Sequence, residues 1–170
     1  LEELLNLWPL LKQSLPSATL DIYYGWEYFN TTLFMPEQVS LKGRVLKLVK
    51  QPGVTWKGRV NQQKLADAFS RASAWIYPPH NFRETCCISA MELQAAGVLC
   101  FYRMNGALGE TVGDRGVPLP LTAKPEDVVK LVTDTLADRE KCEKLRRSGM
   151  DWARQQTWAT RAKALVGLIR

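Results

Sequence analysis

Apolar positions set the period of each stretch of the chain. Leu4, Trp8, Leu11 and Leu15 recur at helical spacing, which predicts an amphipathic helix over roughly residues 2–14, stopped by Pro16. The run ATLDIYY, residues 18–24, predicts a buried strand ended by Gly25. Pro36 can open a second helix with Leu41, Val45, Leu48 and Val49 on one face. Pro52-Gly53 marks a turn, and residues 54–56 a short strand that ends at Gly58. Asn61 suits the N-cap of a third helix, whose apolar face is Leu65, Ala68, Phe69 and Ala72. Residues 74–77 read as a strand halted by Pro78-Pro79, and a polar loop follows. Next come a helix over about 86–96 closed by Gly97, a strand over 98–102, a short helix near 107–112 and a weak strand over 116–119. Pro125, Glu126 and Asp127 open a helix carrying Val128, Val129, Val132 and Leu136. Two further helices are expected over about 138–154 and 158–169, the last capped by Thr157.

Strands thus alternate with helices, and each return is long enough to contain a helix. That pattern demands parallel strands and predicts a single α/β domain with a doubly wound, Rossmann-like sheet flanked by helices. Ligands of such sheets bind at the carboxyl ends of the strands. The loops to search are therefore 25–27, 57–59, 77–84 and 103–106.

Composition narrows the class. The chain has 170 residues, with 46% hydrophobic and 24% charged, ordinary values for one globular domain. No apolar run approaches the roughly 18 residues of a membrane span, and no basic-then-apolar leader opens the chain. The helical pattern starts at once on Leu1, so a segment of a longer protein is expected, and its thiols read as reduced, which points to the cytoplasm. The four cysteines (Cys86, Cys87, Cys100 and Cys142) are too few and too irregular for a disulfide framework and form no C-x-x-C pair. The net charge of +6 suits an anionic partner: nucleic acid, an acidic membrane surface or a phosphorylated small molecule. The basic run Arg139, Lys141, Lys144, Arg146 and Arg147 interleaves with Glu140 and Glu143, as on an ordinary solvated helix face.

The segment FRETCCISAMELQAAG, residues 82–97, carries the strongest chemical signal. Glu84 and Glu92 stand eight residues apart, a little over two helical turns, so both carboxylates can share a side. Free amides at Thr85, Cys86, Cys87 and Ile88 could hold a phosphate at the helix start. A carboxylate further along can accept from two vicinal ribose hydroxyls. On spacing alone the plainer reading is preferred: Glu84 as a helix-start acid and Glu92 as a solvated helix residue. The Cys86-Cys87 pair suits either a reactive low-pKa thiol or a small residue packed tightly, the second being the commoner case. His80 suits a general base or an ordinary surface histidine. Trp26 could stack on a base or sugar, whereas Trp56 lies within a strand and fits the core. Lys57 and Arg59 suit phosphate contacts or solvated charges.

This segment resembles the signature of the retaining, GT-B-fold glycosyltransferases of the group 1 family, a Glu-x(7)-Glu motif at a strand–loop–helix turn of their C-terminal, nucleotide-sugar-binding domain. The resemblance is collinear over nearly the whole chain. It takes in LPSATLDIYYGWE (15–27), GVTWKGRVNQQKLADAFSRASAWIYP (53–78), GALGETV (106–112), Gly116 and the closing Thr157-Trp158 helix. It implies that Glu92 binds ribose hydroxyls of a nucleotide-diphosphate sugar, that Glu84 contacts the donor sugar, and that the backbone of Thr85, Cys86, Cys87 and Ile88 meets the diphosphate. It places the Gly58-Arg59-Val60 turn beside the base and residues 103–106 at the donor pocket, with Glu110 structural. It implies sugar transfer with retention and no divalent metal or other cofactor. No Asp-x-Asp occurs, in keeping with that.

The resemblance further implies an N-terminal acceptor domain of the same protein as partner, leaves a peripheral membrane contact of the parent open, and gives no reason to expect nucleic acid. The first strand and Gly-rich turn of the family's domain, central in its sheet, are missing before Leu1. Leu93 stands where the family favours a small residue. A fragment without its partner domain is expected to bind donor at best. The rival readings are a non-catalytic domain of the same fold and an unrelated doubly wound nucleic-acid module.

Overall fold

A computed structural model describes residues 1–26, 36–78 and 83–169. In chain order the elements are α1 (Glu2–Ser14), β1 (Leu20–Ile22), α2 (Pro36–Leu48), β2 (Val54–Trp56), α3 (Gln62–Phe69), β3 (Ala74–Tyr77), α4 (Ile88–Ala95), β4 (Leu99–Tyr102), α5 (Leu108–Thr111), a 3₁₀ turn (Gly113–Arg115), β5 (Val117–Pro118), α6 (Pro125–Ala137), α7 (Arg139–Gln155) and α8 (Trp158–Ile169). Every strand pair is parallel, as crossovers through helices require.

The strands form two parallel sheets flanked by helices, β1–β2 and β3–β4–β5, in keeping with a doubly wound domain expected to lack a central strand. The ladder bonds show which backbone groups the edge strands β1 and β3 turn towards their neighbours. Leu20 donates to the Gly53 carbonyl and Lys57 donates to that of Ile22. In a parallel ladder alternate residues bond to one side, so Leu20 and Ile22 serve β2 and Asp21 faces away from it. In the same way Ser73 and Tyr77 accept from Leu99 and Arg103 of the β4 side, which leaves Ala74 and Ile76 facing away.

Helix α1 joins the two sheets. Its Leu4, Leu7, Trp8 and Leu11 are buried in a core shared with Leu99, Phe101, Val117 and Val132, against which Leu20, Val54, Ala74 and Ile76 also pack. Its Leu5 reaches a separate cluster with Ile22 of β1 and Val45 of α2. Pro9 interrupts α1 without breaking it. A proline removes the donor that would reach the carbonyl four residues back. That carbonyl, on Leu5, accepts from Gln51 Nε2 at 2.9 Å instead. Residues of β3 and β4 alternate between the two faces. Leu99 and Phe101 join the α1 side. Cys100 and Tyr102 join Ala90, Leu93 and Leu108 on the α4 side, with Trp75 and Tyr77 packed against them. Leu93 is thus a core residue.

The expected caps form where the sequence places them. The Asn61 side chain accepts from the Lys64 amide at 2.9 Å, and Thr157 Oγ1 from the Thr160 amide at 3.1 Å. The basic run lies on α7, whose Cys142 and Gly149 face inward. Its Arg139 pairs with Glu143 one turn on, at 3.0 Å. No helix among the described residues is long and apolar enough to cross a membrane.

Candidate functional site

The carboxyl end of β3 holds the first anchor. Glu84 forms a parallel bridge with Gly106, and its carbonyl accepts from the Ala107 amide at 2.8 Å. Gly106 has φ +60°, and a Cβ there would stand 2.2 Å from the Glu84 carbonyl oxygen. Only glycine allows both that backbone and that approach. The Glu84 side chain is fixed separately: the Tyr77 hydroxyl donates to its Oε1 at 2.7 Å. The Tyr77 ring stacks on Trp75 with centroids 4.9 Å apart and planes 13° apart. Burial raises the Tyr77 pKa above its ordinary value, and the bond to Glu84 raises it further. The hydroxyl therefore stays a donor across the neutral range.

Helix α4 begins at Ile88, later than the expected start near Cys86. Cys87, its N-cap, has φ 53° and ψ 64°, a left-handed conformation that cannot continue into a right-handed helix. Among the non-glycine residues described, it alone has positive φ. Of the four amides expected at the helix start, only that of Ile88 lies in its first turn; Thr85, Cys86 and Cys87 form the approach. Glu84 is therefore on the bridge and Glu92 on the helix, with one helical turn rather than two between them. Glu92 is half-buried and Cys86 exposed. Burial, with the Glu84 charge adding to it, pushes the Cys87 thiol up to about 11. This opposes a reactive thiolate and favours the packing reading.

Two clefts flank this anchor at strand carboxyl ends. A cleft of ≈ 320 Å³ beyond β1 and β2 is lined by Tyr23, Tyr24, Gly58, Arg59, Val60 and Leu65. Gly58 has φ +68°, which makes the turn. Beneath it Trp26 and Trp56 stack on each other, 5.5 Å apart and 4° from parallel, with Tyr24 edge-on to both. Lys57 pairs with Asp21 at 3.6 Å.

A second cleft of ≈ 280 Å³, beyond β4 and β5, is lined by Glu3, Asn6, Arg103, Leu121 and Pro125 among others. Arg103 is only 3% exposed and pairs with Glu3 at 2.5 Å, tying α1 to the end of β4. Glu110 lies in α5, and its carbonyl accepts from Arg115 at 2.7 Å.

Glu84 and Gly106 meet beyond β3 and β4, with Arg103 at the end of β4, while Gly58 stands at the carboxyl end of β2 in the other sheet; such ends are where these folds bind ligands. His80, Glu27 and Phe82 lie outside the described residues. Among the described residues no group of His, Cys, Asp and Glu could hold a metal ion.

The sequence profile of Glycosyl transferases group 1 matches residues 1–152. The chain belongs to the group 1 glycosyltransferase family. Among solved structures, sucrose-phosphate synthase from Thermosynechococcus elongatus superposes with a TM-score of 0.73 at 20% identity. The match covers 98% of this chain and 41% of that one. At that identity it shows a GT-B, Rossmann-like fold, and this group 1 domain spans about two-fifths of the solved chain. No curated protein matches the chain.

Residues 103–106 were expected at the donor pocket, but three contacts of this glycosyltransferase domain were not: those of Tyr77 with Glu84, of Glu3 with Arg103 and of Gly106 with Glu84. The Tyr77 bond and the Glu3–Arg103 pair join residues distant in sequence and carry no local signal. Gly106 carries a weak one, a glycine in a loop after a strand, which often marks close backbone approach.

Proposed function

We propose that this chain is the donor-binding domain of a retaining glycosyltransferase, one that moves a hexose from a nucleotide-diphosphate sugar to a hydroxyl acceptor. The observation that carries this reading is Glu84, held by Gly106 and Tyr77 at the strand ends, directly before the helix that bears Glu92. The base enters the cleft at Gly58, Arg59 and Val60, where Tyr23 and Tyr24 offer aromatic surface. Glu92 accepts from the ribose hydroxyls. The diphosphate meets the backbone of Thr85, Cys86, Cys87 and Ile88, where the positive end of α4 favours negative charge.

Transfer breaks the bond between the sugar's anomeric carbon and the diphosphate. The same face of that carbon then bonds to the acceptor oxygen, whose proton leaves with the diphosphate. Donors aimed at the charge that develops on the diphosphate lower the barrier, and the reaction needs no divalent metal. An N-terminal domain of the same protein binds the acceptor, so this domain alone binds donor without turning it over.

Calorimetric titration with UDP, GDP and ADP, against a Glu92→Ala control, tests the reading. Binding of one nucleotide that the control abolishes supports it and names the base. Equal binding by the control, or none by the full-length protein, sinks it.

A further inference from the structure

Glu84 is immobilised by two independent devices, and only one of them concerns its side chain. The Gly106 bridge and the Ala107 amide fix its backbone. They leave the side-chain torsions open. The Tyr77 hydroxyl then takes Oε1 at 2.7 Å. Among the described residues no hydrogen bond reaches Oε2. Tyr77 itself has little freedom: its carbonyl accepts from the Arg103 amide at 3.1 Å, and its ring lies flat on Trp75. A hydrogen bond from a neutral hydroxyl to a carboxylate is among the stronger kinds, and the ring behind it is rigid.

We infer that Tyr77 is a positioning residue for sugar recognition: by holding Oε1 it presents Oε2 of Glu84 to a hydroxyl of the transferred sugar. This rests on the donor-site reading above and adds a residue outside the acid motif. The pairing makes Glu84 an acceptor with one free oxygen in one orientation. An unheld carboxylate would sample several rotamers and lose entropy on binding. It predicts that Tyr77 acts on the sugar alone, because the nucleotide is held elsewhere, at Glu92 and the Gly58 turn.

The test uses the full-length protein and two classes of probe: UDP, GDP and ADP, and their glucose conjugates. Tyr77→Phe removes the hydroxyl and keeps the ring on Trp75, so the strand packing survives. In Tyr77→Phe the affinity for the preferred nucleotide-sugar should fall about tenfold. Affinity for the bare nucleotide should stay within about twofold. In Glu84→Ala the sugar's increment should fall by at least as much, and adding Tyr77→Phe to it should cost nothing more. An unchanged sugar increment in Tyr77→Phe overturns the role of Tyr77 while leaving the donor site standing. An equal loss for nucleotide and nucleotide-sugar overturns it too, since that is the mark of a merely structural bond. A wild-type protein that binds none of the probes removes the donor site and this inference together.

Discussion

The two sheets are built from the same local rules and end with different burial. In the three-stranded sheet, β4 has neighbours on both sides and all four of its residues are buried. In the two-stranded sheet, β1 buries Ile22 alone and β2 buries none of its three residues fully. Helix α3, in the crossover from β2 to β3, has a strong apolar stripe yet no buried residue. Sequence hydrophobicity alone does not decide burial here: Val54 and Trp56 are as apolar as Leu99 and Phe101 but only half-buried, whereas the central β4 is covered throughout. Open edges present unpaired backbone groups and are points of association and local opening.

The largest expected effect would sharpen this contrast. Phe101 is fully buried, and Phe101→Ala should lower stability by about 4 kcal/mol in urea unfolding. Val54→Ala, in half-buried β2, should cost only about 1 kcal/mol. Amide exchange should be slowest in β4 and fastest in β1 and α3. Equal costs with uniform exchange would mean that the two sheets behave as one.

The second effect lies where the well-buried sheet meets the site. Gly106→Ala adds a Cβ 2.2 Å from the Glu84 carbonyl oxygen at φ +60°. It should cost about 3 kcal/mol through clash and strain. Gly58→Ala shares the positive φ, but its Cβ meets nothing closer than 3.9 Å. It should cost about 1 kcal/mol. Urea midpoints of the two variants test this, and a reversed order would put the tighter backbone in the two-stranded half.

That contrast also marks what was legible in the sequence. Periodicity and breakers located the elements, because helix and strand periods and the caps at Asn61 and Thr157 are local. That a central strand is missing was an expectation of the family resemblance, whereas periodicity alone does not say which edges pair, because pairing depends on strands distant in sequence. Of the expected apolar face Leu65, Ala68, Phe69 and Ala72, the first three lie on α3 and Ala72 falls beyond its end; a stripe does not say whether anything covers it. At the site, the acids and the Gly58 turn were visible as types and spacings. The start of α4 was not, since nothing in a cysteine announces a left-handed backbone. Tyr77 stood at the end of a strand and the start of a loop to search, but nothing local joined its hydroxyl to Glu84.

A third expectation separates the halves by pH. Burial pushes the Cys100 thiol up to about 12, and Cys87 to about 11, from an ordinary 9.0. Both belong to the three-stranded half. The folded state holds these protons more tightly than the unfolded chain, so their contribution is complete below about pH 9 and is lost as pH rises towards 11–12. The fall should not exceed about 1.4 kcal/mol per pH unit for Cys100. Urea midpoints from pH 8 to 10.5 should decline, and Cys100→Ala should flatten the decline. A slope left unchanged by the substitution would place its origin elsewhere.

The smallest effect concerns the turn before α4. A left-handed conformation costs a residue with a Cβ about 1–2 kcal/mol, which Cys87→Gly removes. The same change frees the unfolded chain, at a cost of roughly 0.5–1 kcal/mol, and it deletes a thiol half-buried against the second core cluster. These terms nearly cancel, so Cys87→Gly should lie within about 1 kcal/mol of wild type. Cys87→Val keeps the apolar contact and adds a β-branched side chain to the left-handed backbone, and should cost about 2 kcal/mol. The pair of variants separates backbone from packing. If glycine costs more than valine in thermal melts, the thiol's contacts hold this turn. If glycine is neutral and valine costly, the backbone governs it, and the start of α4 is set by the left-handed residue between Glu84 and the helix.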